Sequence, residues 1–130
     1  MIVLDTHVLI YDALTPAKLS PRARKALDSG FAESELSCSD ISLWEIAMLI
    51  ARKRLDPAMD ARQFIDDLIT ARTVRVLPIS AEIAVLSQSD SFSHGDPANR
   101  LIAATALINQ AQLVTSDARL RKLKEISTIW

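Results

Sequence analysis

Apolar residues recur along this chain with two spacings, one typical of strands and one typical of helices. Short apolar runs predict buried strands at residues 1–4, 36–39, 74–79, 113–115 and 126–130. Apolar positions three and four apart predict helices over 7–14, 21–28, 41–50, 60–71, 80–86 and 97–110, with a brief basic helix after 117. Ser20 and Pro21 are typical of a helix start, and Gly30 is expected to end that helix.

The predicted strands and helices alternate along the chain. This order is typical of an α/β sandwich with a short, mainly parallel central sheet. In such sheets, ligands bind beyond the carboxyl ends of the strands. A length of 130 residues favours one domain over residues 1–130, since two would each bury too little core.

Composition narrows the possible functions. The formal net charge of −1 excludes a strongly basic nucleic-acid-binding chain, although a local basic patch remains possible. Gly30 and Gly95 are the only glycines, which excludes the glycine-rich loops that bind nucleotide phosphates. The single Cys38 cannot form an internal disulfide and favours a reducing, cytoplasmic compartment. No apolar run is long enough to cross a bilayer.

Acidic residues stand where strands end and helices begin. Asp5 directly follows a predicted strand, Asp117 follows another, Glu45 lies early in an apolar helix, and Asp96 precedes the helix at 97–110. In a parallel sheet these positions share one edge, so the carboxylates are expected to converge there. Clustered carboxylates repel one another, and hard oxygen ligands select Mg²⁺ or Mn²⁺. Such a site supports hydrolysis of phosphodiester bonds.

Each acid also has a purely structural explanation. Asp96 stands before a proline, as helix N-cap residues do, and Asp117 could cap the short helix that follows it. Ser42 and Glu45 have the spacing of a capping box, and Asp5 could close a turn. Glu45 is the hardest to explain this way, because its apolar neighbours predict burial and a buried carboxylate needs a cation or a donor.

Four segments, VLDTHVLI (3–10), SLWEIA (42–47), GDPANRLIAATA (95–106) and LVTSD (113–117), together resemble the PIN-domain nucleases, in particular the VapC-type toxins of bacterial toxin–antitoxin pairs. The resemblance implies a three-layer α/β/α domain, usually a homodimer, that cleaves RNA with Mg²⁺ or Mn²⁺ and is inhibited by an antitoxin encoded alongside. It places Asp5, Glu45 and Asp117 at the family's acidic positions, and Thr6 and Ser116 where hydroxyls support the site.

One position departs from the family pattern. The family stretch is commonly D-P-x-D-R, and this chain has Asn99 in place of the second acid. Asp96 could supply the missing charge, because residues three apart share a helix face. Asn99 could ligate through its carbonyl oxygen or hold a water. The lost charge is expected to weaken metal binding.

The leading hypothesis is a metal-dependent endoribonuclease toxin in which Asp5, Asp96 and Asp117 hold the ions and Glu45 ligates them or orients the water. The alternative is a PIN-like module, weakened at Asn99, that acts by binding RNA or protein. A phospho-receiver domain is disfavoured because the strand at 74–79 is not followed by an Asp. A haloacid-dehalogenase-type phosphatase is disfavoured because position 7 is His.

Other polar and aromatic residues have less specific interpretations. Arg100 could contact a phosphate or form an exposed salt bridge. Basic residues near the predicted site are candidates for following the RNA phosphates: Arg119, Arg121, Lys122 and Lys124. The cluster at 52–54 suits the end of a helix dipole, with RNA contact as the alternative. Trp44 and Trp130 are expected to be packing anchors, Cys38 a core residue, and His94 a loop residue.

Overall fold

A computed structural model describes residues 1–92 and 95–130, and the expected loop position of His94 lies outside these ranges. The strands are β1 (Ile2–Leu4), β2 (Leu36–Ser39), β3 (Arg75–Leu77), β4 (Gln112–Val114) and β5 (Thr128–Ile129). The helices are α1 (Thr6–Leu14), α2 (Pro21–Ala32), α3 (Ile41–Ala51), α4 (Ala61–Ala71), α5 (Ala81–Ser87), α6 (Pro97–Ile108) and α7 (Ala118–Arg121), with a 3₁₀ turn at Pro16–Lys18. No helix within the described ranges has the length and apolar character needed to cross a membrane.

All five described strands pair in parallel, in the order β3-β2-β1-β4-β5. The prediction of a mainly parallel sheet is confirmed, although β3 and β5 are shorter than predicted. The chain adds β2 and β3 on one side of β1, then crosses back and adds β4 and β5 on the other side. The strand order therefore reverses between β1 and β4, and a crevice at that point is where open α/β sheets bind ligands.

The central strand β1 is buried on both faces, as its uninterrupted apolar run predicts. Ile2 and Leu4 belong to a core cluster with α1, α2 and α4, whereas Val3 belongs to a second cluster with α5 and α6. Alternate side chains of a strand point to opposite faces, so each face of the sheet is covered by helices. The three-layer α/β/α prediction is confirmed.

The end of α2 differs from the prediction, because the helix continues through Gly30 to Ala32. Its predicted start is confirmed: the Ser20 side chain accepts a hydrogen bond from the Ala23 N–H at 3.0 Å. A side-chain carbon at position 30 would clash with Leu36 of β2. Gly30 therefore permits close packing of helix on sheet, and does not end the helix.

Helix α3 begins at Ile41, as predicted, but two residues within it differ from expectation. Ser42 lies inside the helix, so the predicted capping box with Glu45 is wrong. Trp44 is 59% exposed, so it is not a packing anchor. Trp130 does pack against the first core cluster, and Cys38 is fully buried, as predicted.

Candidate functional site

The acidic residues singled out from the sequence lie at the carboxyl edge of the sheet. Asp5 follows β1, and its N–H donates to the Val114 carbonyl of neighbouring β4 at 3.1 Å. Asp117 comes three residues after that strand ends. Glu45 lies close enough to Asp5 and Asp96 for both charges to act on it. These carboxylates therefore lie at the edge predicted from a parallel sheet, where the charge of one acts on another.

Asp5 is a buried carboxylate held by one hydroxyl. The Thr115 hydroxyl donates to Asp5 Oδ2 at 2.6 Å, and the side chain of Asp5 is 3% exposed. Asp5 Oδ1 is buried and has no hydrogen-bond partner among the described residues. Burial raises the pKa of Asp5, and the Thr115 hydrogen bond opposes that shift. The charged form of Asp5 is therefore destabilised where it lies.

Glu45 is a second buried carboxylate, carried by α3. Burial is the largest cause of its raised pKa, and the charges of Asp96 and Asp5 raise the pKa further. The Thr6 hydroxyl lowers the pKa of Glu45 and also shares a hydrogen bond of 2.9 Å with the Ser42 hydroxyl. This bond joins the start of α1 to α3 below the carboxylate. Glu45 Oε1 has no hydrogen-bond partner in the described part of the chain.

Asp96 and Asp117 are helix caps, as the structural explanation of these acids predicts. Asp96 Oδ1 accepts from the Ala98 N–H at 2.9 Å at the start of α6. Asp117 Oδ1 accepts from the Arg119 N–H at 2.9 Å at the start of α7. An ionised carboxylate has two acceptor oxygens with about four lone-pair sites, so capping is compatible with a further role.

Asn99, at the position that departs from the family pattern, contacts Asp117. Its Nδ2 donates to Asp117 Oδ2 at 3.3 Å. Asn99 lies one helical turn after Asp96, so it connects the starts of α6 and α7. The amide supplies a donor where a carboxylate at position 99 would add a second negative charge.

One supporting hydroxyl that the sequence analysis did not single out belongs to Thr115. It donates to Asp5 and also accepts from the Asp117 N–H at 3.0 Å. No contact of the Ser116 side chain with the acids is found in the described ranges. A threonine in a buried apolar run needs a hydrogen-bond partner, and this signal points to Thr115.

Arg100 forms no salt bridge within the described residues, and its contact with a phosphate stays a prediction. Its Nε donates to the Ser87 carbonyl at 2.6 Å and its Nη2 donates to the Ser89 carbonyl at 3.5 Å. Both acceptors lie at the end of α5 and just after it. Arg100 therefore fastens this end of α5 to α6, a role that depends on tertiary contacts.

The acids suit a divalent cation by their chemistry, although no three His, Cys, Asp or Glu side chains in residues 1–92 and 95–130 form a ready metal-binding group. The unpartnered oxygens of Asp5 and Glu45 are buried, and both belong to carboxyl groups. Buried oxygens of this kind are hard ligands that favour Mg²⁺ or Mn²⁺ over softer metals. A cation would also compensate the repulsion among Asp5, Glu45 and Asp96.

Replacing Thr115 by valine should raise the pKa of Asp5 further, because the substitution removes the hydroxyl whose hydrogen bond lowers it. Carbon-13 NMR of the Asp5 carboxyl through a pH titration measures the change. Thr105→Val is the matched control, since the buried Thr105 hydroxyl donates to the Leu101 carbonyl within α6. An unchanged Asp5 titration in Thr115→Val would show that the hydroxyl does not act on this carboxylate.

Comparison with known proteins finds one matching family model and one similar protein sequence. A family model described as PIN domain matches residues 2–126. The chain is 36% identical over 132 positions to Ribonuclease VapC22 of Mycobacterium tuberculosis (strain ATCC 25618 / H37Rv), covering 99% of this chain and 98% of that protein.

Two solved structures have a similar fold. One is the crystal structure of VapBC2 from Rickettsia felis, bound to a DNA fragment from the promoter of the pair. It aligns with a TM-score of 0.72 and 16% identity, over 98% of this chain and 97% of that chain. A toxin–antitoxin complex from Klebsiella pneumoniae aligns with a TM-score of 0.63 and 20% identity, over 98% of this chain and 97% of that chain. At these identities the two structures bear on the fold alone.

Proposed function

Because this chain belongs to the PIN domain family, we propose that it is an endoribonuclease that hydrolyses RNA phosphodiester bonds and is the toxin of a toxin–antitoxin pair. The observation that carries the proposal is the pair of buried carboxylates, Asp5 and Glu45, with unpartnered oxygens at the carboxyl edge of the sheet. Identity of 36% to a ribonuclease over nearly the whole of both chains supports it. The proposal treats residues 1–130 as a single PIN domain.

All four acids of the proposed site would hold Mg²⁺ or Mn²⁺: Asp5, Asp96, Asp117 and Glu45. When bound, the ion supplies positive charge to the phosphoryl group and lowers the pKa of a bound water. Thr115 and Thr6 keep the Asp5 and Glu45 carboxylates in place.

Within this site Glu45 orients the attacking water through a hydrogen bond accepted at Oε1. The water attacks phosphorus and gives up a proton, which Glu45 accepts. The bond from phosphorus to the 3′ oxygen breaks, and the 3′ oxygen takes a proton from solvent. The products are a 5′-phosphate on one fragment and a 3′-hydroxyl on the other. The burial of Glu45 and Asp5 keeps bulk water from screening these charges.

A cognate antitoxin, a homodimer and a cytoplasmic location complete the proposal. The Klebsiella structure with this fold is a toxin–antitoxin complex. Large apolar side chains are exposed on several helices, among them Phe31, Trp44 and Val85. Exposed apolar side chains of this kind are typical of surfaces that bind other protein chains.

Cleavage of RNA by the purified chain tests the proposal. Single-stranded and structured RNAs are incubated with Mg²⁺ or Mn²⁺, and in parallel with a chelator, and the ends of the products are identified. Metal-dependent cleavage with 5′-phosphate ends is expected. An intact RNA pool with antitoxin-free protein and either metal would refute the nuclease assignment. Purification from the native host tests the antitoxin, because a small bound protein should accompany the chain.

One observation favours a second candidate function, a PIN-like module with weakened catalysis that acts by binding. The Asn99 amide donates a hydrogen bond to Asp117 Oδ2. Asn99 therefore adds no negative charge that could bind a cation. Fewer charged ligands lower the affinity for a divalent cation.

Asn99→Asp separates the two functions. We expect the variant to bind Mg²⁺ about tenfold more tightly, because it adds a charged oxygen ligand beside Asp117. Calorimetric titration measures the affinity, and RNA cleavage is assayed alongside. Asn109→Asp is the matched control, since it makes the same charge change at the other end of α6. Activity that arises only in Asn99→Asp would favour the binding module over the nuclease for the parent chain.

A further inference from the structure

A basic cleft lies next to Asp117 and is not used by the proposed reaction. Its volume is about 350 Å³, within the range of sites that hold small ligands. The basic cleft is lined by Arg22, Ala118, Arg121, Lys122, Thr128 and Trp130. It joins elements far apart in sequence: the first turn of α2, the short helix α7, and β5 with the residue after it.

The basic cleft opens at the same edge of the sheet as the acids. Ala118 in its wall directly follows Asp117, and Trp130 directly follows β5. Arg121 comes one helical turn after Asp117, about 6 Å along the helix axis. A strand of RNA with its scissile phosphate at Asp117 would therefore bring a neighbouring phosphate to the cleft.

Every charged side chain that lines the basic cleft, among the described residues, is positive. Arg22, Arg121 and Lys122 are exposed, and none of them takes part in an ion pair within the described residues. In a chain whose formal net charge is −1, this concentration of cations indicates an anionic ligand.

Helix α7 carries one cation outside the basic cleft as well as those that line it. A side-chain carbon on Gly95 would lie 3.8 Å from Arg119 Nη1, which places this guanidinium beside the segment that leads into Asp96. Arg121 and Lys122 line the basic cleft. Positive charge therefore lies both beside the segment before Asp96 and in the cleft next to Asp117, which suits a linear polyanion such as RNA better than a compact acidic ligand.

We propose that the basic cleft is a binding site for a nucleotide of the RNA substrate adjacent to the scissile bond. Arg22, Arg121 and Lys122 bind its backbone phosphates, and the Trp130 indole forms the wall against which a base packs. Phosphate contacts position a strand without reading its sequence, whereas stacking tolerates any base. The inference rests on the proposed ribonuclease function and specifies how that site holds its substrate.

Fluorescence anisotropy with a short fluorescein-labelled single-stranded RNA tests the basic cleft, in an Asp5→Asn background that does not cut the probe. Arg121→Gln/Lys122→Gln should weaken binding about tenfold, since two charge-assisted contacts to phosphate are lost. The slope of log affinity against log salt should fall by about 1.4 between roughly 50 and 200 mM salt. Arg52→Gln/Lys53→Gln, with the same charge change at the far end of α3, should bind like the parent.

The charge-preserving double variant Arg121→Lys/Lys122→Arg is a control for misfolding caused by substitution at these positions. It should bind RNA nearly as well as the parent.

Tryptophan fluorescence tests the role of Trp130. In a Trp44→Phe background Trp130 is the only tryptophan, and its fluorescence should be quenched by the probe. Unchanged fluorescence would overturn the assignment of Trp130.

Two results distinguish failure of this inference from failure of the proposed function. RNA cleavage by the parent chain, together with unchanged RNA affinity and salt slope in the Gln pair, overturns the cleft alone. Absence of both cleavage and RNA binding in the parent overturns the ribonuclease function and the cleft with it. If the Gln pair keeps its RNA affinity and loses a co-purified protein, the cleft is a protein interface and the inference is wrong.

Discussion

Asp5→Asn should reduce RNA cleavage roughly a thousandfold and at the same time raise the thermal midpoint of unfolding. The loss of activity follows from removing a charged oxygen at the edge where the metal is proposed to bind. The gain in stability follows because the Asp5 carboxylate is buried and its charged form is disfavoured. An amide has nearly the same shape and can still accept the Thr115 hydrogen bond at its oxygen.

The stability gain of Asp5→Asn should depend on pH in a defined direction. The pKa of Asp5 is raised from its ordinary value of 3.8, so the folded state holds this proton to higher pH than the unfolded chain. Below 3.8 both states are protonated and parent and variant should be equally stable. The advantage of the variant should grow as the pH rises from there, and should level off above the folded pKa.

Thermal melts of both proteins across this pH range, without added metal, measure the difference. Asp66→Asn is the control, since Asp66 is exposed and its ion pair with Arg62 at 3.9 Å contributes little. It should change neither cleavage nor the pH profile. Full cleavage by Asp5→Asn, or a parent that is more stable than the variant at neutral pH, would contradict the account of Asp5.

Saturating Mg²⁺ or Mn²⁺ should raise the thermal midpoint of the parent by several degrees. A ligand at a hundred times its dissociation constant stabilises a folded protein by about 2.7 kcal/mol. The physical source is the compensation of repulsion among Asp5, Glu45 and Asp96. Burial is the largest cause of the raised pKa of Glu45, and the charges of Asp96 and Asp5 raise that pKa further. The shift should be much smaller in Asp5→Asn.

Differential scanning calorimetry with increasing metal measures the shift, with NaCl at equal ionic strength as the control for screening. Addition of a chelator should return the midpoint to its starting value and stop RNA cleavage. If neither metal changes the thermal midpoint of the parent, and the parent still cuts RNA in the presence of a chelator, the proposed metal dependence is wrong.

The fold could be predicted well because its signals are local. The apolar runs of β1, β2 and β4 and the spacing of apolar residues in the long helices depend on neighbours a few positions away. The starts of α2, α6 and α7 could also be predicted from the sequence. At each of them a side chain accepts hydrogen bonds from N–H groups within three residues: Ser20, Asp96 and Asp117. The prediction that Gly30 ends α2 was wrong, because a glycine is needed there for close contact with β2 and not for a helix end.

The candidate site could be located but its contacts could not be predicted. Parallel strands imply that Asp5 and Asp117 share an edge, and this follows from element order alone. The bond from Thr115 to Asp5 spans 110 positions, and that from Arg100 to the Ser87 carbonyl joins two helices. No pattern within a short window distinguishes Thr115 from Ser116, or an Arg100 that holds a loop from one that meets a phosphate.

The amino-acid sequence by itself determined the order of the elements, the helix caps and the acidic residues of this protein, because each depends on periodicity or on hydrogen bonds across one turn. Only the tertiary structure decided which hydroxyls and amides hold those acids, that Trp44 is exposed, and that Arg22 shares a cleft with Arg121 and Trp130. The reason is that side-chain contacts between distant segments depend on how helices pack on the two faces of the sheet. Packing of that kind depends on the shape of the whole core.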